Sequence, residues 1–233
     1  MKKFIFCICF VTSFLFLSAQ DIPEALKNDF SIEKANLATA VKNQGQTGTC
    51  WSFSTTSLLE SQLLKNNNSN INLSEMFTVR NIYLDKATNY VMRQGAAQFG
   101  EGGLGHNVIE AIAKYGSMPE EAYSGLLPTQ QEYNHSKLVN ELKIYLDSLL
   151  KHKPLMPHWQ KGVAQILDKY MGAAPDKFNF EGKEYTAKNF AVEVLKFNAS
   201  DYVNLTSFTH KPFYEPFIID IPDNFSNGSY YNI

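Results

Sequence analysis

Residues 41–54 read VKNQGQTGTCWSFS, a cysteine set against a tryptophan, behind a glycine-broken loop and six positions after a glutamine. From Cys50 to Lys65 the chain is rich in small residues (Ser52, Ser54, Thr55, Thr56, Ser57), and Trp51, Leu58, Leu59 and Leu63 supply its bulk. The pattern predicts a helix that other backbone can approach closely, hence one that is central and mostly buried. A helix that begins at Cys50 places the sulfur among unpaired N–H groups at the positive end of the helix dipole. That position favours the thiolate, the nucleophilic form of the group. Gly45 and Gly48 allow the loop to bring Gln44 back toward the sulfur. Its amide and the Cys50 backbone N–H then make two donors for an oxygen gaining negative charge, each worth about 2.7–4 kcal/mol in the transition state.

The chain has three cysteines. Cys7 and Cys9 fall in MKKFIFCICFVTSFLFLSAQ, where Lys2 and Lys3 precede an apolar run of 14 residues and a small-residue end. That is the layout of a secretory signal peptide over 1–19, and the run is short of the roughly 20 apolar residues of a membrane span. The expectation is an exported protein, periplasmic or extracellular. After removal of the leader Cys50 has no cysteine to pair with, so it is a free thiol or an intermolecular one. With 44% hydrophobic residues, 19% charged and a formal net charge of -2, the composition is that of an ordinary globular chain. No basic stripe calls for nucleic acid, and no zinc-ligand spacing, phosphate loop or dinucleotide fingerprint is present, so neither a metal nor a cofactor is expected.

Three segments follow the leader. Residues 20–129 begin with a polar stretch holding a short helical pattern at 23–27, then carry the cysteine helix. Ser74 is an N-cap for a helix toward Met92. GAAQFGEGGLG at 95–105 has five glycines and reads as irregular chain, and Val108, Ile109, Ile112 and Ala113 mark a helix that Gly116 stops. Residues 130–198 read as a helical insertion: one amphipathic helix with Leu138, Leu142, Tyr145, Leu146 and Leu149, a second with Trp159, Val163, Ile166, Leu167 and Tyr170, and a weaker third after Thr186. Residues 199–233 read as the start of a β-rich part. EPFIIDIPD forms a short strand with no later partner, from which an incomplete chain is expected.

The motif Val-x-Asn-Gln-Gly followed by Cys-Trp-x-Phe resembles the active-site segment of papain-like cysteine peptidases. The resemblance implies an α+β papain-like fold, with Cys50 as nucleophile and Gln44 as oxyanion donor. EGGLGH resembles the paired glycines of that family's substrate cleft and implies that Gly102 and Gly103 line it, where a bare wall lets a peptide backbone approach. Thr47 stands where many secreted members carry a bridged cysteine. That departure, the insertion and the tail YEPFIIDIPDNFSNGSYYN are similar to the bleomycin hydrolase and aminopeptidase C branch. The branch implies peptide substrates, aminopeptidase action and hexameric assembly.

Such an enzyme needs a histidine to pair with the thiolate and protonate the leaving amine. His106 reads as a cap or cleft-edge residue, His135 and His152 as solvated, and His158 as a turn residue. His210 lies 160 positions after Cys50, close to the family's separation of about 130–150. Yet an insertion pushes the base further on, and Lys211-Pro212 cannot open the required strand. The expectation is therefore a chain with the nucleophile but without the catalytic His and Asn, inactive alone. The alternatives are a non-catalytic peptide-binding pseudoenzyme and a papain-like endopeptidase.

Overall fold

A computed structural model describes residues 33–67 and 69–233. The expected leader and the helical pattern at 23–27 lie outside the described residues. The chain divides into a unit of residues 1–35 and a unit of residues 36–233; every element named below belongs to the second.

Helix α1 spans Cys50–Asn67, and the Thr49 carbonyl accepts the Ser52 and Phe53 amides at its entry. Trp51, Ser52, Thr56, Leu59, Glu60 and Leu63 are buried along one face. Ser54, Ser57 and Leu58 are exposed on the other. The helix is thus half-buried rather than mostly buried, and Leu58 (52% exposed) adds nothing to the core. At 100° per residue, position 58 lies about 40° from exposed Ser54 and about 140° from buried Leu63.

Helix α2, Glu75–Met92, starts where expected: the Phe77 amide donates to the Ser74 hydroxyl at 3.0 Å. Its Met76, Val79, Ile82, Tyr83, Ala87 and Tyr90 run through the centre of the core. Helix α3, Gly105–Tyr115, opens with the Leu104 amide donating to the Asn107 side chain (2.8 Å) and ends at Gly116. It packs on α1 and α2. Of its expected apolar stripe, Val108 and Ile112 are buried and Ala113 is exposed.

The segment 130–198 contributes helices α4, Ser136–Leu149, and α5, Trp159–Met171. Leu138, Leu142, Leu146 and Leu149 of α4 meet Trp159, Val163, Leu167 and Met171 of α5, and both helices pack on α2. These stripes have the spacing the sequence predicts. The segment read as a helical insertion is not wholly helical, however. Strands β1 (Phe178–Phe180) and β2 (Lys183–Tyr185) form an antiparallel hairpin. Its turn residues Glu181 and Gly182 have φ of 49° and 81°, as a two-residue hairpin turn requires. Phe178, Phe180 and Tyr185 set their edges around Phe190 of helix α6, Ala187–Glu193.

The last segment holds β3 (Leu205–Thr206), β4 (Pro216–Ile218) and β5 (Ser229–Asn232), ordered β3-β5-β4. Here the strand reading is corrected: β4 has a later partner, β5, which pairs antiparallel with it and parallel to β3. Pro216 fits because β4 is an edge strand. Asn232 is fully buried and bonds Phe208, Lys211 and Pro212, tying the 207–213 loop to the sheet.

Candidate active site

Cys50 is the first residue of α1, and its side chain is exposed. Among the described residues none accepts the Cys50 backbone N–H, and no side chain is hydrogen-bonded to the sulfur. The 18-residue helix leaves its first two amides, those of Cys50 and Trp51, without an acceptor among the described residues, while Thr49 takes the next two. Sulfur and open donors therefore share one tip.

The loop ahead of it is tightly made. Gly45 has φ +61°, and a Cβ there would sit 2.6 Å from the Tyr133 carbonyl oxygen. That oxygen accepts the Gln46 amide at 2.8 Å. Thr47, at the position of the missing cysteine, donates to the Gln44 carbonyl (2.8 Å) and shares a bond with Thr49 (2.6 Å). A hydroxyl clasp stands where a bridge is otherwise expected. Gln44 is half-buried and its Nε2 donates to the Thr47 carbonyl at 2.6 Å. A primary amide carries two N–H bonds, so one is used to hold the loop.

Behind the loop lies a charged cluster that no motif in the sequence announced. Lys42 donates to Glu60 (2.5 Å) and Glu75 (2.7 Å), and Glu60 also accepts the Leu73 amide and the Thr39 hydroxyl. Glu60 and Glu75 are buried. Burial works to lower the Lys42 pKa, but its bonds to Glu60 and Glu75 prevail and hold it raised. One lysine cannot neutralise two carboxylates, and burial pushes the Glu75 carboxyl up despite Lys42. Glu120, next in line, is pushed up to about 7 by burial and by the charge of Glu75. It accepts from the Tyr133 hydroxyl at 3.2 Å, and its second oxygen is buried without a partner. The available signal was Glu60, a lone carboxylate on the buried face between Leu59 and Leu63.

The glycine stretch lies beside this tip. Glu101 accepts the Gly48 amide through its carboxylate (2.6 Å) and the Trp51 indole N–H through its carbonyl (3.0 Å). Gly103 faces the Trp51 ring, with a Cβ position 2.8 Å from the ring carbon Cε2. Gly102 faces the Asp223 carboxylate, and a Cβ there would meet its Oδ1 at 2.2 Å. The space each glycine leaves is filled by the protein itself. The main chain of Gly103 is another matter: half-exposed, its N–H and C=O make no hydrogen bond among the described residues. Lys86 reaches from α2 to donate to the carbonyls of Gly100 (2.7 Å) and Gly102 (2.5 Å), and burial lowers its pKa to about 8.

No described histidine touches the sulfur. His106 is buried, with Nδ1 bonded to the Tyr230 hydroxyl and Nε2 to the Ser226 hydroxyl, both at 3.0 Å, and burial lowers its pKa. His135 is not solvated as expected. It is buried against Tyr83, 3.0 Å from its hydroxyl, and its pKa falls to about 4 through burial. Position 135 continues the stripe of 138 and 142 by one turn, which is why it turns inward. His152 and His158 are exposed, the latter with φ 57° ahead of α5. His210 is exposed and sets its ring against Phe208. Among the described residues no cluster of metal-ligating side chains occurs, and no helix is long and apolar enough to cross a membrane.

The sequence profile described as "Papain family cysteine protease" matches residues 26–143. The viral cathepsin of Autographa californica nuclear polyhedrosis virus is 37% identical over 94 residues, 40% of this chain and 25% of the virus protein. Cysteine proteinase 1 of Dictyostelium discoideum is 35% identical over 103 residues, 43% of this chain and 29% of that one. The chain thus spans a quarter to three tenths of the length of these curated relatives. Among solved structures, PepW from Lactobacillus rhamnosis superposes with a TM-score of 0.69 at 19% identity, covering 90% of this chain and 56% of PepW. That likeness is one of fold.

Proposed function

The chain belongs to the papain family of cysteine proteases, and on that premise we propose that it is the nucleophile-bearing part of a peptidase that cleaves at amino-terminal chain ends. Cys50 Sγ attacks the scissile carbonyl carbon, and the oxyanion formed meets the Cys50 N–H and the second N–H of Gln44. Collapse breaks the C–N bond, the amine leaves with a proton, and the thioester is hydrolysed by water. The substrate backbone pairs with the open N–H and C=O of Gly103. The observation that carries this reading is the exposed Cys50 thiol on a helix tip whose first two amides, Cys50 and Trp51, have no acceptor among the described residues.

The proton for the leaving amine comes, in this proposal, from an imidazole outside these 233 residues. The commitment of both His106 nitrogens and the burial of His135 support it. The aminopeptidase assignment draws its support from the overlap in fold with PepW and from the insertion.

The test is turnover of peptides with free and with acetylated amino termini, alongside Cys50→Ala. The 233-residue chain alone is expected to hydrolyse neither while still being alkylated at Cys50 by a peptide-derived electrophile. Turnover that disappears when any one of the five histidines is replaced would contradict the missing imidazole. Equal turnover of both peptides by an active form would exclude exopeptidase action.

A further inference from the structure

We propose that Asp223 binds the α-ammonium group of a peptide lying along the 102–103 wall, and so selects chain ends; this deepens, and rests on, the peptidase reading above.

The segment around Asp223 is held as a closed loop. Asn224 is buried; its amide donates to the carbonyls of Ile219 and Gly228 (both 2.9 Å) and accepts the Gly228 amide (2.8 Å). Ser226 and Tyr230 fasten the same loop to the first turn of α3 through His106, and Asn107 donates to the Ser226 hydroxyl at 3.1 Å. Neighbours on both sides of Asp223 are thus fixed by neutral bonds, while the carboxylate itself accepts none among the described residues. It is half-exposed and lies in the space a Gly102 side chain would take.

The charges of Lys86 and Asp223 act on each other. Two of the three Lys86 ammonium hydrogens go to the carbonyls of Gly100 and Gly102, and none is bonded to Asp223, so Lys86 attracts Asp223 without saturating it. Glu101, on the other side of Gly102, spends its carboxylate on the Gly48 amide. What remains is a rigid carboxylate with free lone pairs, one residue along the wall from the glycine that contacts Trp51.

The choice of an α-ammonium follows from where the charge sits. It stands on a stretch of bare main chain, beside the unpaired peptide group of Gly103, and not at the floor of a side-chain pocket. A peptide that pairs its backbone with Gly103 brings its own main chain past Asp223, and the cation a main chain can offer is its amino terminus. Carboxylate to ammonium bonds are charge-assisted and short.

The rate of Cys50 alkylation, followed by mass spectrometry, tests this without requiring turnover. Chloromethyl ketones of one and of two residues, each with a free or an acetylated amino group, are compared with iodoacetamide. The free-amine form of at least one length is expected to react about tenfold faster than its acetylated form. In Asp223→Asn the two forms should converge while the iodoacetamide rate stays unchanged. In the unaltered chain the preference should shrink as salt rises from about 0.05 to about 0.5 M. Its absence, its persistence in Asp223→Asn, or indifference to salt would overturn the proposal. An acetylated reagent bearing a lysine side chain that matches the free amine, and loses its advantage in the variant, would reassign the carboxylate to a side chain and overturn it as well. Should no peptide reagent label Cys50 faster than iodoacetamide, the peptidase reading fails and this inference with it.

Discussion

Two loops flank the Cys50 tip, and they are fastened by opposite means. The loop of residues 39–49 is fixed from behind by buried charge, Lys42 between Glu60 and Glu75. The loop of residues 219–228 is fixed by neutral groups, the Asn224 amide and the His106 imidazole. Buried ions bond strongly but carry a desolvation cost that makes each depend on its partner. Neutral amides bond more weakly and leave no orphan charge behind. Cys50 therefore stands on the stronger, more brittle mounting, and the glycine wall on a softer one whose Asp223 remains uncommitted.

Removal of the lysine gives the largest expected effect. Lys42→Ala leaves two carboxylates facing each other without a counter-ion, a loss of about 3–5 kcal/mol, read by chemical denaturation. A loss under about 1 kcal/mol would mean that the cluster is screened like a surface pair and the contrast is false. Gly45→Ala comes next, because a methyl at φ +61° meets the Tyr133 carbonyl. We expect a loss of about 2–3 kcal/mol and slower Cys50 alkylation, as the loop ahead of the sulfur shifts. An unchanged alkylation rate would separate loop geometry from thiol reactivity.

Asn224→Ala probes the softer side. Three hydrogen bonds disappear from a buried amide, at a cost of about 1–3 kcal/mol. Hydrogen exchange should show the loss confined to residues 219–230, with the amides of α1 still protected. Spread of the opening to α1 would mean that the two loops are one cooperative unit.

The smallest effect is in pH. Glu120 keeps its proton to about 7 in the folded chain, against an ordinary glutamate value of 4.5. Because its folded pKa is raised, its contribution is complete below 4.5 and is lost as pH rises from 4.5 to 7. Discounted for its partial exposure, that slope is on the order of 1–2 kcal/mol. Glu120→Gln should flatten it, a change measurable as melting temperature at pH 5 and pH 8. His106 runs the other way: its folded pKa is lowered, so stability on the neutral-loop side is lost as pH falls below 6.5. Parallel slopes from both groups would contradict the division.

The same division decided what could be read from the sequence. The loop ahead of Cys50 was legible because its requirements are local: a glycine at positive φ, a glutamine, a cysteine that opens a helix. The apolar stripes of α4 and α5 were legible by their period. The hairpin of residues 178–185 was not, since strands of three residues carry no period and only the Glu181-Gly182 pair hinted at a turn. Asp223 and Lys86 were invisible for another reason. Their roles arise from contacts with Gly102 across long separations, and nothing local distinguishes them from surface charges. His135 was misread because helix α4 begins one residue after it, so its stripe looked complete without it.

The most direct measurement is the rate of Cys50 modification by a peptide-derived acyloxymethyl ketone in the folded chain and in the same chain unfolded by urea. The folded chain is expected to react faster, at Cys50 in preference to Cys7 or Cys9, and Cys50→Ala should abolish the fast adduct. Slower reaction in the folded chain than in the unfolded one, or an adduct retained by Cys50→Ala, would contradict it.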